Sequence, residues 1–232
     1  CPSLARRPRP AVDHRVTGCY RASMGDEASA AGLFITLEGV DGGGKSTQIE
    51  RLTAWLTARG ETVLVTSEPE GTPLGVAIGG WLRGHGDDAP VPRAEALLFL
   101  AARAQHVDTV IRPALASGHC VICSRFSHST LAYQCHGLGL DLATVTAADA
   151  FARDGLLPDG VIVLDLATET AAERRAERDA HRIEARADDF HQRVREGFRA
   201  LAAADPQRVK LVPAGGTPDE VEARIRQVVE GW

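Results

Sequence analysis

The 232-residue sequence lacks the features that mark several classes of protein. Its five cysteines form no paired framework, which argues against a secreted disulfide scaffold. A formal net charge of -5 gives no reason to expect nucleic acid or a membrane surface as a partner. No repeat or low-complexity tract interrupts the chain. The hydrophobic share of 44% and the charged share of 25% are those of an ordinary globular domain with a sizeable core.

The N-terminal stretch also lacks an apolar run, so neither a signal peptide nor a membrane span is expected there. It begins CPSLARRPRP and is rich in arginine and proline. We predict a disordered tail over residues 1–32 and a single domain over residues 33–232. Met24 is the only methionine, and we expect the natural start there. A basic docking arm is the alternative.

The only closely spaced cysteines, Cys120 and Cys123, lie in the apolar string HCVICS. On a strand, residues three apart point to opposite faces. No second cysteine pair is present to complete a zinc site. We therefore predict buried free thiols.

One glycine-rich stretch carries a specific chemical signal. The apolar segment Leu33–Leu37 leads into GVDGGGKST, which fits the phosphate-loop pattern G-x-x-x-x-G-K-[ST] at every fixed position. The predicted nucleotide-binding residues are Gly39, Asp41, Gly42, Gly43, Gly44, Lys45, Ser46 and Thr47.

The residue types suit phosphate chemistry. Glycines let the backbone approach a ligand with its amides pointing inward. Lys45 supplies a positive charge for the outer phosphates, and the Ser46 hydroxyl is suited to Mg²⁺. The helix that follows presents its positive N-terminus to the anion. A glycine-rich turn between a strand and a helix is the alternative.

Short apolar strands alternate with helical patterns along the rest of the chain. This alternation predicts an α/β protein with a three-layer α/β/α phosphate-loop fold and a five-stranded parallel sheet. Parallel sheets of this kind bind ligands at the C-terminal ends of their strands. The predicted strands are Leu33–Leu37, Thr62–Thr66, Cys120–Ser124, Val161–Leu166 and VKLVPA at 209–214. The predicted helical segments are Gln48–Arg59, Val91–Ser117, 141–154, most of Glu169–Asp205, and Pro218–Glu230.

Several further segments, in this order and spacing, resemble one family. They are EPEGT after the second strand, LLFLAARAQ in the long helix, SRFSHSTLAYQ, PDGVIVLDL, and an arginine-rich stretch that ends in HRIE. Together with the phosphate loop, these motifs are similar to those of thymidylate kinases, and more closely to the bacterial branch. The resemblance runs from about Phe34 to the C-terminus.

The resemblance implies a phosphate-loop kinase fold with a helical lid at about residues 170–186. It implies transfer of the γ-phosphoryl of ATP to dTMP for dTTP synthesis, with Mg²⁺, in a cytoplasmic homodimer. In such a reaction the protein mainly positions the two phosphates and neutralises charge on the transferring group. Lys45, Asp41, Arg125 and Arg182 are the implied catalytic residues.

The resemblance also implies an acceptor site. Phe99 corresponds to the aromatic residue that stacks on thymine, and Arg103, one helical turn later, to the arginine that bonds a base carbonyl. Arg125 corresponds to the acceptor-phosphate arginine, and Tyr133 to the ring that favours deoxyribose. The full implied set is Glu68, Phe99, Arg103, Arg125, Ser129, Thr130, Tyr133 and Gln134.

Simpler roles are open for several of these residues. Phe99 is also typical of a core position. Ser129 and Thr130 also suit a helix start, and Asp41 a capped turn.

The loop interior contains Gly42 and Gly43 where some thymidylate kinases carry an arginine. The bacterial branch supplies basic residues from the lid instead. Arg182 is the leading candidate, ahead of Arg174, Arg175 and Arg178. A solvated helix with Glu–Arg pairs is the alternative.

The sequence departs from the family at several positions. Ser124 stands where the family usually has aspartate, Ser67 where arginine is common, and Glu70 where glycine is usual. Cys135 and His136 also replace glycines. These departures leave two alternatives: a kinase for another pyrimidine monophosphate, or a catalytically weakened nucleotide-binding regulator.

Overall fold

A computed structural model describes residues 32–83, 89–176, 183 and 186–232, without the side chains at 175 and 176. Within this part of the chain, five parallel strands form one sheet in the order β2-β3-β1-β4-β5. The strands are β1 (Phe34–Gly39), β2 (Val63–Ser67), β3 (Cys120–Ser124), β4 (Gly160–Asp165) and β5 (Val209–Pro213). The predicted three-layer fold with a five-stranded parallel sheet is confirmed.

Helices connect the strands. They are α1 (Lys45–Ala58), α2 (Pro73–Arg83), α3 (Pro92–His106), α4 (Arg112–Ala116), α5 (Ser127–Thr130), α6 (Leu142–Ala152), α7 (Thr168–Ala176), α8 (Asp188–Ala204) and α9 (Pro218–Glu230). Two π-helical segments, Val107–Ile111 and Leu131–Gly137, extend α3 and α5. None of the helices in the described ranges is long and apolar enough to cross a membrane.

Alternate residues of the central strands enter different parts of the core. Ile35 of β1 and Ile122 of β3 belong to a large cluster that also contains residues of α1, α8 and α9. Phe34 and Val121 belong to a second cluster, with residues of the π-helical segment Val107–Ile111. The alternation covers both faces of the sheet, as expected for buried parallel strands.

The two cysteines of β3 follow the same rule. Cys120 lies in the large cluster and Cys123 in the second one. Both side chains are buried, and neither cysteine forms a disulfide within the described residues. The prediction of buried cysteines without a disulfide at these positions is confirmed.

Helix α2 was not among the predicted helical segments, and its three glycines disfavour a helix interior. Tertiary packing stabilises it instead. Ile78 and Leu82 pack against Ala102 of α3. At its start, the amide of Gly75 donates to Thr72 Oγ1 at 3.0 Å, and a Cβ on Gly75 would lie 1.8 Å from the carbonyl oxygen of Pro69. The glycine is therefore required where the helix meets the preceding loop.

The predicted charged helical stretch is two helices, α7 and α8. Residues 177–182 and 184–185, between them, lie outside the described residues. The predicted lid at about 170–186 is therefore described only at its two ends. The predicted tail, except for Gly32, is also outside the described residues.

The buried sheet provides a test of the core. We expect Ile162→Ala, at a fully buried position of β4, to lower the free energy of unfolding by about 2–5 kcal/mol, because it removes packed methyl groups and leaves a cavity. Urea unfolding measures the change. Leu211→Ala on β5, where the side chain is 41% exposed, is the control. Equal losses for the two variants would contradict the assigned core.

Candidate active site

The phosphate loop has a backbone that only glycine adopts without strain. Gly39, Gly42 and Gly44 have φ angles of 129°, 83° and 89°. A Cβ on Gly39 would lie 2.6 Å from the carbonyl oxygen of Leu164, and one on Gly42 would lie 2.6 Å from that of Ala171. The loop therefore needs these glycines both for its conformation and for close packing.

Lys45, the charged residue of the phosphate-loop motif, is the first residue of α1. The Lys45 ammonium donates to the carbonyl oxygens of Gly39 and Val40 at 3.1 and 3.0 Å. Gly44 is the N-cap of α1 and provides no side-chain cap. The first amides of the helix are thus available to an anion. Ser46 and Thr47 are exposed in the first turn.

These features fit the phosphates of a nucleotide. The described ranges contain no group of three or more His, Cys, Asp or Glu residues suited to a metal. Protein side chains in these ranges therefore do not form a complete metal site by themselves. Mg²⁺ in kinases is commonly held by few protein groups together with phosphates and water. The Ser46 hydroxyl, at the loop, is suited to that arrangement.

Arg125 follows β3 directly and lies beside the loop. It has a left-handed backbone, with φ 67°, which is costly for a residue other than glycine. Its amide donates to the carbonyl oxygen of Leu37 at 2.9 Å. Its guanidinium is paired with Asp41 and donates to Tyr133 Oη at 3.2 Å. The end of β3 is thus joined to the loop that follows β1.

Asp41 and Tyr133 complete this cluster. Tyr133 Oη donates to Asp41 Oδ2 at 2.7 Å. Burial opposes ionisation of Asp41, but the charges of Arg125 and Lys45 and the Tyr133 hydrogen bond hold the pKa of Asp41 well below its usual range. Burial raises the pKa of Tyr133, so the phenol stays protonated. Asp41 therefore serves as a charged acceptor for both neighbours.

Glu38, the penultimate residue of β1, is a member of this site that the sequence analysis did not select. It is fully buried, and its carboxyl accepts from the amide of Phe126 at 2.8 Å and from the Ser129 hydroxyl. Ser129 Oγ in turn accepts from Arg125 Nη1 at 3.0 Å. Glu38 therefore fixes the backbone after Arg125. An acidic residue inside the apolar string FITLEG was the available signal.

A second buried network surrounds Arg103, whose side chain is 1% exposed. Its Nη2 donates to Glu68 at 2.6 Å and to Thr130 at 3.0 Å. Its Nη1 donates to Asp149 at 2.6 Å. Its guanidinium also lies 4.9 Å from the ring centroid of Phe126. Asp149, on α6, was also not selected, since a lone aspartate on a helix gives no sequence signal.

Phe99 and Gln134 lie on the neighbouring helical segments. Phe99 is half-buried and packs against α2 residues of the core cluster that holds Ile78. Gln134 Nε2 donates to the buried Glu95 at 3.0 Å. Glu95 also accepts from Arg186 at 2.7 Å, which joins the C-terminal end of the lid to the cleft.

The two networks border a cleft of about 850 Å³, counting space open to solvent. Every residue of the implied acceptor set lies on it, together with Asp41. Ser129 and Thr130 are the last two residues of α5, and the N-cap of this helix is Phe126, with no side-chain cap, so the helix-start role is wrong. Their hydroxyls take part in the two networks instead. The lining residues that were not in the predicted set are Pro69, Glu70, Gly79, Leu82, Arg83, Phe126 and Ile183.

The lid arginines are described only in part. Arg174 of α7 donates to the carbonyl oxygen of Gly42 at 3.4 Å, so one lid arginine lies against the phosphate loop. Arg182, the leading candidate, and Arg178 lie outside the described residues, as does the side chain of Arg175.

The buried carboxyl of Glu38 generates a pH prediction. Burial raises its pKa from 4.5 to about 7, although Ser129, Arg125, the Phe126 amide and Arg103 act in the opposite direction. The folded protein holds this proton up to about pH 7, whereas the unfolded chain releases it near 4.5. Stability from this group is thus fully present below the unfolded pKa and is lost as the pH rises.

We expect the wild type to lose on the order of 3 kcal/mol of unfolding free energy relative to Glu38→Gln as the pH rises through this window. Urea unfolding at a series of pH values measures the difference. The exposed Glu50→Gln should track the wild type throughout. A wild-type to Glu38→Gln difference that is constant with pH would show that Glu38 has no raised pKa.

Comparisons with known proteins agree with this geometry. The family model for thymidylate kinase matches residues 37–225. A thymidylate kinase of Desulfovibrio desulfuricans is 41% identical over 208 residues, covering 86% of this chain and 96% of the relative. One from a Synechococcus strain is 48% identical over 198 residues, covering 85% and 94%.

A solved structure is also similar. The crystal structure of thymidylate kinase from Ehrlichia chaffeensis matches with a TM-score of 0.72 at 28% identity, covering 86% of this chain and all of that one. Since the family model matches most of the chain, the chain belongs to the thymidylate kinase family of nucleoside monophosphate kinases.

Proposed function

We propose that this protein transfers the γ-phosphoryl group of ATP to dTMP, which gives dTDP for dTTP synthesis. One observation carries the proposal: the acceptor residues implied by sequence line one cleft together with Asp41 of the phosphate loop, which is paired with Arg125. A reaction between two phosphates needs both held side by side, and this pair lies where the two sites meet.

The donor phosphates lie in the loop in this proposal. The backbone from Gly39 to Gly44 surrounds them, Lys45 neutralises their charge, and the amides at the start of α1 donate to them. The Lys45 ammonium is kept close to the loop by its contacts with the carbonyl oxygens of Gly39 and Val40. Mg²⁺, held by Ser46 and the phosphates, would neutralise charge that develops on the transferring group.

The acceptor phosphate is bound by Arg125. A guanidinium can grip a phosphate through two parallel hydrogen bonds. Arg125 is held by Glu38 through Phe126 and Ser129, and by Asp41 and Tyr133, so few of its conformations remain to be restricted upon binding. Asp41 orients this arginine between the two phosphates.

The base lies between Phe99 and Arg103. Phe99 supplies an apolar face on which thymine stacks. Four of the five N–H groups of Arg103 are used by Glu68, Asp149 and Thr130. The fifth, on Nη1, has no hydrogen-bond partner among the described residues and suits a base carbonyl. Gln134 lies beside them on the cleft.

Tyr133 favours deoxyribose in this proposal. Its ring contacts Phe190 and Phe198 edge-on, with centroids 6.0 and 6.3 Å away, and its hydroxyl is held by Asp41. A ring that is fixed on several sides cannot move aside for a 2′-hydroxyl. Glu68 holds Arg103 and thereby shapes the base pocket.

The lid supplies the positive charge that the loop interior lacks. Arg182 is the proposed transition-state cation, and the contact of Arg174 with Gly42 supports approach of α7 to the loop. A cation that arrives upon closure stabilises transition-state charge while water is excluded.

A homodimer is also part of the proposal. Exposed apolar side chains occur on α2 (Leu74, Val76 and Trp81), on α3 (Leu97) and on α6 (Phe151), and α2 and α6 both pack against α3. Apolar surface that is exposed and contiguous is typical of an interaction site. The cytoplasmic location stays a prediction from the resemblance.

The acceptor identity is tested by ADP formation with ATP, Mg²⁺ and each of dTMP, dUMP, dCMP and dGMP. We expect the highest kcat/KM with dTMP, because Phe99 and Arg103 match a pyrimidine and Tyr133 a deoxyribose. A higher value with dUMP or dCMP would favour a kinase for another pyrimidine. No turnover with any acceptor, with ATP binding intact, would indicate a nucleotide-binding regulator.

Arg125→Ala tests the acceptor-phosphate assignment. We expect a higher KM for dTMP and a lower kcat, with kcat/KM reduced on the order of a hundredfold, because the residue binds the acceptor phosphate in the ground state and more strongly in the transition state. Arg125→Lys keeps the positive charge but loses the bidentate grip, so its kcat/KM should lie between those of the wild type and Arg125→Ala. Wild-type constants for Arg125→Ala would show that the assignment is wrong.

A further inference from the structure

The charged groups on the cleft are balanced within the described residues. They are Asp41, Glu68 and Glu70, and Arg83, Arg103 and Arg125. Each arginine is paired with one of these carboxylates. A nucleoside monophosphate brings up to two negative charges into this cleft, so its binding is favoured if an arginine exchanges a carboxylate for the phosphate.

The three pairs differ in how readily they separate. Arg103 and Glu68 are 1% and 3% exposed, so separating them would leave buried charges without partners. Arg125 and Asp41 are 19% and 18% exposed and share the hydrogen bonds of Tyr133.

Arg83 and Glu70 are 38% and 34% exposed. An ion pair of that exposure contributes little to stability, so it is the least costly of the three to open.

The position of the Arg83–Glu70 pair suits such an exchange. Glu70 lies on the loop after β2, and Arg83 is the last residue of α2. The pair lies over Gly79, where an added Cβ would be 3.1 Å from Glu70 Oε1 and 3.2 Å from Arg83 Nη2. Since Gly79 has no side chain, the guanidinium of Arg83 occupies that space at the cleft, where it is 38% exposed.

We propose that Arg83 is a ligand of the acceptor phosphate, and that Glu70 holds it over Gly79 until the nucleotide displaces the carboxylate. The inference rests on the proposed function, which it deepens by adding a second phosphate-binding arginine beside Arg125. It also gives Glu70, an unexpected negative charge near the acceptor, a role: it neutralises Arg83 in the free protein.

The exchange has an energetic consequence. Binding of the phosphate gains the Arg83 contact but loses the Arg83–Glu70 pair, and it also places Glu70 near a second anion. Glu70 therefore weakens the affinity for phosphorylated ligands and leaves the affinity for the nucleoside unchanged. The same arginine should contribute more to binding when Glu70 is neutral.

Isothermal titration calorimetry with dTMP and with thymidine, which lacks the phosphate, tests this. The variants are Arg83→Gln, Glu70→Gln and the double variant. Arg208→Gln is the matched control, since Arg208 is 38% exposed, is paired with Asp205, does not line the cleft and changes the net charge equally.

We expect Arg83→Gln to weaken dTMP binding about threefold in the wild type and about tenfold in the Glu70→Gln background. The loss of dTMP affinity is larger in the Glu70→Gln background because the Arg83–Glu70 ion pair is absent there and does not have to open when the phosphate binds. Glu70→Gln alone should tighten dTMP binding about threefold. Thymidine binding should be the same in all variants, and Arg208→Gln should match the wild type.

Three results would overturn the inference. The first is dTMP affinity for Arg83→Gln equal to that of Arg208→Gln. The second is an equal loss for thymidine, which would assign Arg83 to the base or sugar. The third is the same Arg83→Gln loss in both backgrounds, which would show that no partner is exchanged.

Wild-type turnover of dTMP is measured separately. If the wild type phosphorylates dTMP but Arg83→Gln binds dTMP with wild-type affinity, only this inference is wrong. If the wild type binds dTMP but does not phosphorylate it, only the proposed function is wrong.

Discussion

The ion pair between Asp41 and Arg125 connects the two halves of the cleft. It is possible because β1 and β3 are neighbours in the sheet, with Leu37 opposite Ser124. The loops that follow adjacent parallel strands meet at one edge, so a carboxylate from the phosphate loop reaches an arginine 84 residues away. In the proposed reaction two phosphates must lie at a fixed separation, and this contact would position Arg125 between them.

The contact depends on a strained backbone. Arg125 has a positive φ, and such a conformation persists only where its surroundings determine it. The amide of Arg125 is bound by β1, and the next amide is bound by the buried carboxyl of Glu38. A residue within the sheet core therefore controls the direction of a side chain at the surface of the cleft.

The cost of burying charge explains how firmly the other two arginines of the cleft are held. A buried guanidinium is costly unless its donors and its charge are matched, and Arg103 meets this need with Glu68, Asp149 and Thr130. The match leaves the arginine little freedom, which favours directional recognition of a base. Arg83, nearer to solvent, has one carboxylate partner among the described residues, and an ion pair of that exposure costs less to open.

The structure gives a physical setting for some of the departures from the family pattern and none for others. The negative charge of Glu70 is neutralised by Arg83 within the same cleft. The absence of an arginine at Gly42 and Gly43 coincides with close packing of α7, where a Cβ on Gly42 would meet the carbonyl oxygen of Ala171. Nothing in the structure explains Ser124 or Ser67.

By itself, the sequence determined the phosphate-loop motif and the parallel sheet, and its resemblance to the family supplied the predicted acceptor residues. These features depend on local patterns: glycines at fixed spacing, apolar strands of five or six residues, and motifs in a characteristic order. Tertiary structure alone decided helix α2, which forms because Ile78 and Leu82 pack on α3 despite a glycine-rich sequence.

The partners of the charged residues were likewise decided by the tertiary structure. Asp149 lies 46 residues from Arg103, and Glu38 lies 88 residues from Phe126. Such contacts depend on strand order and helix packing, which no local pattern of residues specifies.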